Sequence, residues 1–377
     1  MNITMKDPRI ENLATLLVNH SCELQRGERI LIEAINAPHE IVIALIRAVR
    51  AVGATPLVMI KDDRIIRELN SLYVEDDIKL MAEVELYALT RMDAFVSIRG
   101  VCNSYEYAEV PGDKLKSILQ HYIRPVHLEY KNNHLRWVAL RWPTPALAQR
   151  ARMSTQKFED YFFDVCNIDY AKMEAAMEPL AAMMRQTDNV RILGPGETDV
   201  SFSIKGMSQY KSIGRHNIPD GKLFTAPVRD SIEGHLCYNV PSTYYGTSFE
   251  NVCLDFQEGR VTNAVCGRQT EKLNEILDQD AGARYVGEFA FGFHPLLTRP
   301  MDDILFDEKM TGTVHLAQGN AYSVCDNGNR SAIHWDLILD QREQTGGGSV
   351  FFDRTLVRRD GIFVLPELAG LNPENLK

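Results

Sequence analysis

Between Gly27 and Ile60 the chain is punctuated in a way that few folds accommodate. Gly27-Glu28 turns into the apolar run Arg29-Ile30-Leu31-Ile32-Glu33. Helical periodicity follows from His39 to Ala51 and stops at Gly53, a residue suited to ending a helix because glycine adopts the left-handed conformation without penalty. Pro56-Leu57-Val58-Met59-Ile60 is then a second short apolar run. Strand, helix and strand at this spacing make a β-α-β unit, and such a crossover implies a parallel sheet.

Neighbouring segments extend the pattern. Asp7-Pro8 is a helix start, with Asp as cap and Pro at the first helical position, followed by an apolar stripe of Ile10, Leu13, Leu16 and Leu17. Asp93-Ala94-Phe95-Val96-Ser97-Ile98 and Trp137-Val138-Ala139-Leu140 read as further strands, which makes the first part a doubly wound α/β domain. After the bend Trp142-Pro143-Thr144-Pro145, Ser154 can cap a helix carrying Phe158, Tyr161 and Phe162. A second helix runs from Tyr170 to Arg185, and its methionines are read as core packing. From Val190 the texture changes: Val190-Arg191-Ile192-Leu193 and Val200-Ser201-Phe202-Ser203-Ile204 alternate as strands, and turn residues become frequent. The expected organisation is an N-terminal α/β domain over 1–185 and a β-rich α+β domain over 186–377.

Several function classes are set aside by composition. A formal charge of −10 and a pI near 5.5 speak against a nucleic-acid surface, which needs a basic patch. No apolar run reaches the length that spans a membrane, and the first residues lack the charged-then-apolar layout of a signal peptide. The seven cysteines, at 22, 102, 166, 237, 253, 266 and 325, are odd in number and form no CxxC, so neither a disulfide nor a cysteine-type zinc site is expected. The expected location is the cytoplasm.

The chemistry concentrates near the C-terminal end, in Ser331-Ala332-Ile333-His334-Trp335-Asp336. On a strand, residues two apart share a face, so His334 and Asp336 can converge on one metal ion or pair with each other. Glu288 stands between Tyr285-Val286-Gly287 and Phe289-Ala290-Phe291, and a carboxylate there is costly to bury unless paired or metal-bound. His315 follows Gly312-Thr313-Val314, and Tyr322 lies just beyond. Three apolar strands thus each carry a ligand-type group, a nitrogen-plus-oxygen set that suits zinc, cobalt, manganese or iron. Competing signatures are missing: there is no GxSxG elbow and no HExxH helix, and Cys237 near His235 shows no partner pattern. His294 reads as structural, and Gly346-Gly347-Gly348 as a loop without the Lys-Ser/Thr of a phosphate cradle.

In these residues the sequence resembles the aminopeptidase T / aminopeptidase S (PepS) family of metallopeptidases. The resemblance is densest over Asn217-Ile218-Pro219-Asp220-Gly221-Lys222-Leu223-Phe224-Thr225-Ala226-Pro227, and returns at Gly287-Glu288, Asp307-Glu308-Lys309, Gly312-Thr313-Val314-His315 and Asn329-Arg330-Ser331-Ala332-Ile333-His334-Trp335-Asp336. It implies a homodimeric exopeptidase that acts on small peptides or related amides, with two divalent metals in the C-terminal domain. Glu288 would bind or bridge metal, and His315, Tyr322, His334 and Asp336 would complete the site.

One departure bears on all of this. Where the family has Pro-Asp-Gly-Glu, with a metal-binding glutamate, this chain has Lys222. Four readings stand open: Lys222 replaces the charge of one ion, it swings away from a weakly bound second ion, it loses its proton and serves as a base or substrate contact, or it is merely tolerated and points to solvent. The alternatives to the hydrolase are a mononuclear metalloenzyme like the iron-dependent ring-opening dihydroxypyridine dioxygenases, and a catalytically weak peptide-binding relative. The dioxygenases resemble this family but carry histidine in place of Glu288 and lack His315.

Overall fold

The structure is a computed structural model and describes residues 7–244 and 246–377, so residues 1–6, part of the segment tested for a signal peptide, lie outside it. The chain forms two compact units. The first comprises residues up to Asn167 together with the returning segment Gly214–Pro219; the second comprises Ile168–Ile213 and Asp220–Lys377. The helix Tyr170–Gln186 therefore belongs with the second unit, whereas sequence texture placed the boundary at its C-terminal end.

In the first unit, the four expected strands and a fifth, Asn217–Ile218, form a sheet in the order Thr55–Lys61, Arg29–Ile35, Ala94–Gly100, Arg136–Trp142 and Asn217–Ile218, each pair parallel. The Arg29–Ile35 strand is buried at every position after its first, as a strand covered on both faces must be. Leu31 and Phe95 join Ile78, Ala82 and Leu89 of the Glu75–Leu89 helix, with Tyr122 and Val126, in one buried cluster. The crossover helix His39–Ala51 ends at Val52, and Gly53 follows in the left-handed region (φ +81°). The caps also form: Asp7 accepts from the Arg9 amide, and Ser154 from the Lys157 amide at 3.3 Å.

The second unit contains an eight-stranded antiparallel sheet and a five-stranded one. The smaller sheet runs His334–Asp340, Thr313–Gly319, Val286–Gly292, Lys222–Thr225, Tyr210–Ser212, antiparallel throughout. Its three apolar strands are almost wholly buried. Met173, Met177 and Met184 are buried in the Tyr170–Gln186 helix, as core residues. Among the described residues, no helix is long and apolar enough to cross a membrane.

One expectation is overturned. Cys237 and Cys253 form a disulfide, although the cysteine spacing gave no sign of one. The two residues face each other in the antiparallel pair Glu233–Cys237 and Cys253–Gln257, and strand register rather than sequence proximity joins them.

Candidate metal centre

Register assembles the centre. In adjacent strands, directly paired residues point to the same face. Glu288 pairs with Ala317, and Ala317 pairs with Asp336. His315 precedes Ala317 by two residues on that face, and His334 precedes Asp336 by two. Lys222 pairs with Gly292 on the next strand. The positions between the functional side chains on this face are Ala290, Gly292, Ala317 and Gly319, so the long polar chains meet without bulk between them. Gly292 is obligatory here: a Cβ would lie 2.4 Å from the Met310 carbonyl oxygen.

The side chains of Glu288, His315, His334 and Asp336 converge. His315 Nε2 lies 3.0 Å from Glu288 Oε1 and 3.7 Å from Asp336 Oδ1. His334 Nε2 lies 3.4 Å from Glu288 Oε2 and 3.5 Å from Asp336 Oδ1. The Nδ1 atom of His334 is 2.8 Å from the Asn320 carbonyl oxygen. Nδ1 therefore donates, and Nε2 faces the carboxylates. Tyr322 stands at the edge, 43% exposed, with its ring 4.5 Å from that of His334 and 5.7 Å from that of Phe224.

Lys222 does not swing away. Its ammonium donates to Glu288 Oε1 at 2.7 Å and to Glu308 Oε2 at 2.8 Å, and it is buried. Glu308 is a member that residue pattern alone did not single out. It follows the short helix Ile304–Asp307 and also accepts from the buried Lys309. The signal available was its place in Asp307-Glu308-Lys309, three charged residues in a row that the fold buries.

Electrostatics keep the centre ionised. Burial works against the Lys222 charge, but Glu288, Glu308 and Asp336 outweigh it and push the ammonium well above the usual lysine range. Burial likewise opposes the Glu288 charge, and Lys222 with both imidazoles holds that carboxyl well below its usual range. Glu308 is lowered against its burial by Lys222 and Lys309, and Asp336 to about 2 against its burial by His334. His334 is pushed well above the imidazole range, because Tyr322 and Asp336 outweigh the effect of burial. A dication would displace that proton, since a ligand imidazole is neutral.

The donor atoms fit a divalent ion. Glu288 Oε2, His334 Nε2 and Asp336 Oδ1 are all buried and without a hydrogen-bond partner, a costly state for polar atoms. They form one group able to hold an ion, and Glu308, His315 and Asp336 form another. The separations of 3.4 and 3.5 Å around His334 Nε2 match the edge of a tetrahedron, about 3.4 Å for bonds of 2.0–2.2 Å. Lys222 interposes its ammonium between the carboxylates of the two groups, Glu288 and Glu308.

This oxygen-and-nitrogen donor set, on an antiparallel sheet of a chain that also carries a parallel α/β unit, defines a candidate divalent-metal protein. The chain belongs to the thermophilic metalloprotease (M29) family, matched over residues 6–363, and that membership implies a divalent metal. It is 30% identical over 169 residues to aminopeptidase T of Thermus thermophilus, covering 40% of this chain and spanning 40% of that relative's length. Among solved structures it is similar to wild-type AmpT from Thermus thermophilus, with a TM-score of 0.79 at 21% identity over 95% of this chain and 99% of that one. It is also similar to 2,5-dihydroxypyridine dioxygenase from Pseudomonas putida KT2440, with a TM-score of 0.61 at 14% identity over 96% and 98%. At these identities the structural likenesses establish the fold. The family resemblance drawn from the sequence is borne out.

Proposed function

We propose that this chain is a metal-dependent aminopeptidase-like hydrolase that releases N-terminal residues from small peptides or cleaves a related amide, with Lys222 taking the place of one ion's charge. The observation that carries the reading is the convergence of three buried, unpartnered donor atoms, from Glu288, His334 and Asp336, in a member of this family. Those residues, with His315 and Tyr322 beside them, would hold zinc, cobalt or manganese, and the ion would supply Lewis-acid polarisation of the scissile carbonyl and a more acidic water.

The chain's own residues have distinct tasks. The Asn320 carbonyl accepts from His334 Nδ1 and fixes the ring so that Nε2 faces the centre. Lys222 holds Glu288 and Glu308 together through its ammonium, and its fixed charge keeps both carboxylates ionised. Tyr322, at the open edge, presents a phenol that keeps its proton at neutral pH and can donate to a substrate carbonyl. With neutral imidazoles the three carboxylates carry one charge more than the two ammonium groups, which offsets half the charge of one bound dication. A homodimer goes with this reading, supported by the family resemblance, and a cytoplasmic location goes with it on the sequence expectation alone.

The likeness in fold to a dioxygenase does not move the reaction class, because Glu288 and His315 keep the hydrolase-like donor set. The test is release of free amino acid from di- and tripeptides with zinc, cobalt or manganese, before and after chelation. Hydrolysis that is lost on chelation and restored by metal is expected. No hydrolysis with any of the three ions, alongside oxygen uptake with iron, would overturn the proposal.

A further inference from the structure

The eight-stranded sheet carries a second reactive constellation. Two cross-strand pairs lie side by side on the same face: Cys237 opposite Cys253, and His235 opposite Asp255. His235 Nδ1 lies 2.5 Å from Asp255 Oδ1, and its Nε2 lies 3.1 Å from Cys237 Sγ. Asn263 donates to the other oxygen of Asp255 at 2.8 Å and fixes that carboxylate. The result is a line of carboxylate, imidazole and sulfur, the arrangement that activates a thiol. The charged groups on the same face beside it include Asp199, which pairs with His235 from the other flanking strand, and Arg191, these two satisfying each other at 2.7 and 2.8 Å, and Glu233, which accepts from the Glu258 amide at 2.7 Å.

The constellation is accessible. The side chains of His235 and Asp255 are 36% and 43% exposed, and both cysteines are half-buried. Gly196, in the left-handed region (φ +67°), passes beside the disulfide, and a Cβ there would lie 2.7 Å from Cys237 Cβ. Cys237 is also anchored, since its amide donates to Thr198 Oγ1 at 3.0 Å. A disulfide that served only as a staple would need neither the imidazole nor its carboxylate.

We infer that Cys237 and Cys253, served by His235 and Asp255, form a thiol–disulfide exchange centre whose oxidised form takes a dithiol and whose reduced form takes a disulfide. A thiolate of the dithiol attacks Cys253 Sγ, and a new S–S bond forms there. The Cys237–Cys253 bond breaks, and its electron pair leaves on Cys237 Sγ as a thiolate beside protonated His235. The second thiolate of the partner then attacks its own bonded sulfur and expels Cys253. One dithiol becomes a disulfide, one disulfide becomes two thiols, and the two protons pass from partner to protein. Cys237 is the nucleophile in reverse, because the imidazole touches it.

The test uses the full chain, reduced with dithiothreitol, freed of it under argon, and alkylated with iodoacetamide across pH 5–9, with each cysteine quantified by mass spectrometry. Cys22, Cys166, Cys266 and Cys325 are buried, and burial with Asp63 pushes the exposed Cys102 thiol up, so the reference is a short unstructured peptide with one cysteine. The expected result is a Cys237 midpoint at least about one pH unit below that of the peptide, a shift that an adjacent imidazolium produces. H235A, and independently D255N, which preserves shape, should move the midpoint towards that of the peptide. A Cys237 midpoint equal to that of the peptide, or one indifferent to H235A, overturns the inference. So does failure of the disulfide to form in air or to open with dithiothreitol. Protection of both cysteines by one equivalent of zinc, lost in H235A, would make the trio a metal site instead.

Discussion

Each unit of this protein holds a lysine between two buried glutamates, and the two clusters differ in what they leave unfinished. In the first unit, Lys61 donates to Glu33 at 2.6 Å and to Glu85 at 2.9 Å. Ser97 closes on Glu33 at 2.9 Å and Tyr122 on Glu85 at 2.7 Å. A single oxygen, Glu85 Oε1, lacks a hydrogen bond, and His127 Nε2 stands 3.4 Å from it. In the second unit, Lys222 does the same for Glu288 and Glu308, yet Glu288 Oε2, His334 Nε2 and Asp336 Oδ1 converge without partners. A buried ion pair alone is therefore no sign of a site. Several donor atoms aimed at one point, all unsatisfied, are.

The largest effect expected on that contrast is thermodynamic. Lys61→Met leaves two carboxylates buried without their cation and should cost roughly 3–5 kcal/mol of stability, read by urea unfolding, with metal content unchanged. A fall in metal content would erase the distinction between the two clusters. Next, His334→Ala or Asp336→Ala should weaken zinc binding at least about 100-fold, or about 2.7 kcal/mol, while far-ultraviolet circular dichroism stays native. Unchanged affinity in either variant would remove these residues from the centre.

Lys222→Glu sharpens the comparison at smaller scale. It replaces the internal cation by an acceptor, and should raise both metal affinity, by about tenfold or more, and peptide hydrolysis. It should also lower the melting temperature in chelator, where three carboxylates would crowd with Lys309 as the one ammonium in contact with them. If elemental analysis shows no gain in bound metal, Lys222 does not stand in for an ion. The smallest effect is pH-dependent. Burial opposes the Glu33 charge, but Lys61 and Ser97 hold its carboxyl below the usual range. Glu33 therefore takes up a proton less readily folded than unfolded. Its contribution is full above the unfolded value, about 4.3, and is lost as pH falls through the folded one. Unfolding titrations at pH 7, 4 and 3 should show a shallower decline in E33Q than in the parent chain, and equal declines would assign the acid sensitivity elsewhere.

The two units were also unequally legible. The parallel sheet could be read from local signals: Gly27 and Gly53 as punctuation, and short apolar runs at Arg29–Ile35 and Thr55–Lys61. The strands bearing Glu288, His315 and His334-Asp336 were legible because a polar group inside an apolar run is conspicuous. Glu308 was not, since it sits in a loop among other charges and only the tertiary fold turns it towards Lys222. The pairing of Cys237 with Cys253 was hidden for a related reason: it depends on register across a turn region, which two sequence positions 16 residues apart do not encode by themselves. The two-residue strand Asn217–Ile218 carries too little pattern to be recognised, although it completes a sheet.

That short strand has a consequence for biosynthesis. The ribosome delivers the first 167 residues as an almost finished unit, but the piece that covers the sheet's last edge arrives some fifty residues later, after a stretch that belongs elsewhere. Until then the Arg136–Trp142 strand has an open row of backbone amides and carbonyls, a template for any other nascent chain nearby. A fragment ending at residue 167 would carry that open edge permanently. Anyone dividing this protein into expressible halves should cut elsewhere, or bring Gly214–Pro219 along with the first half by circular permutation.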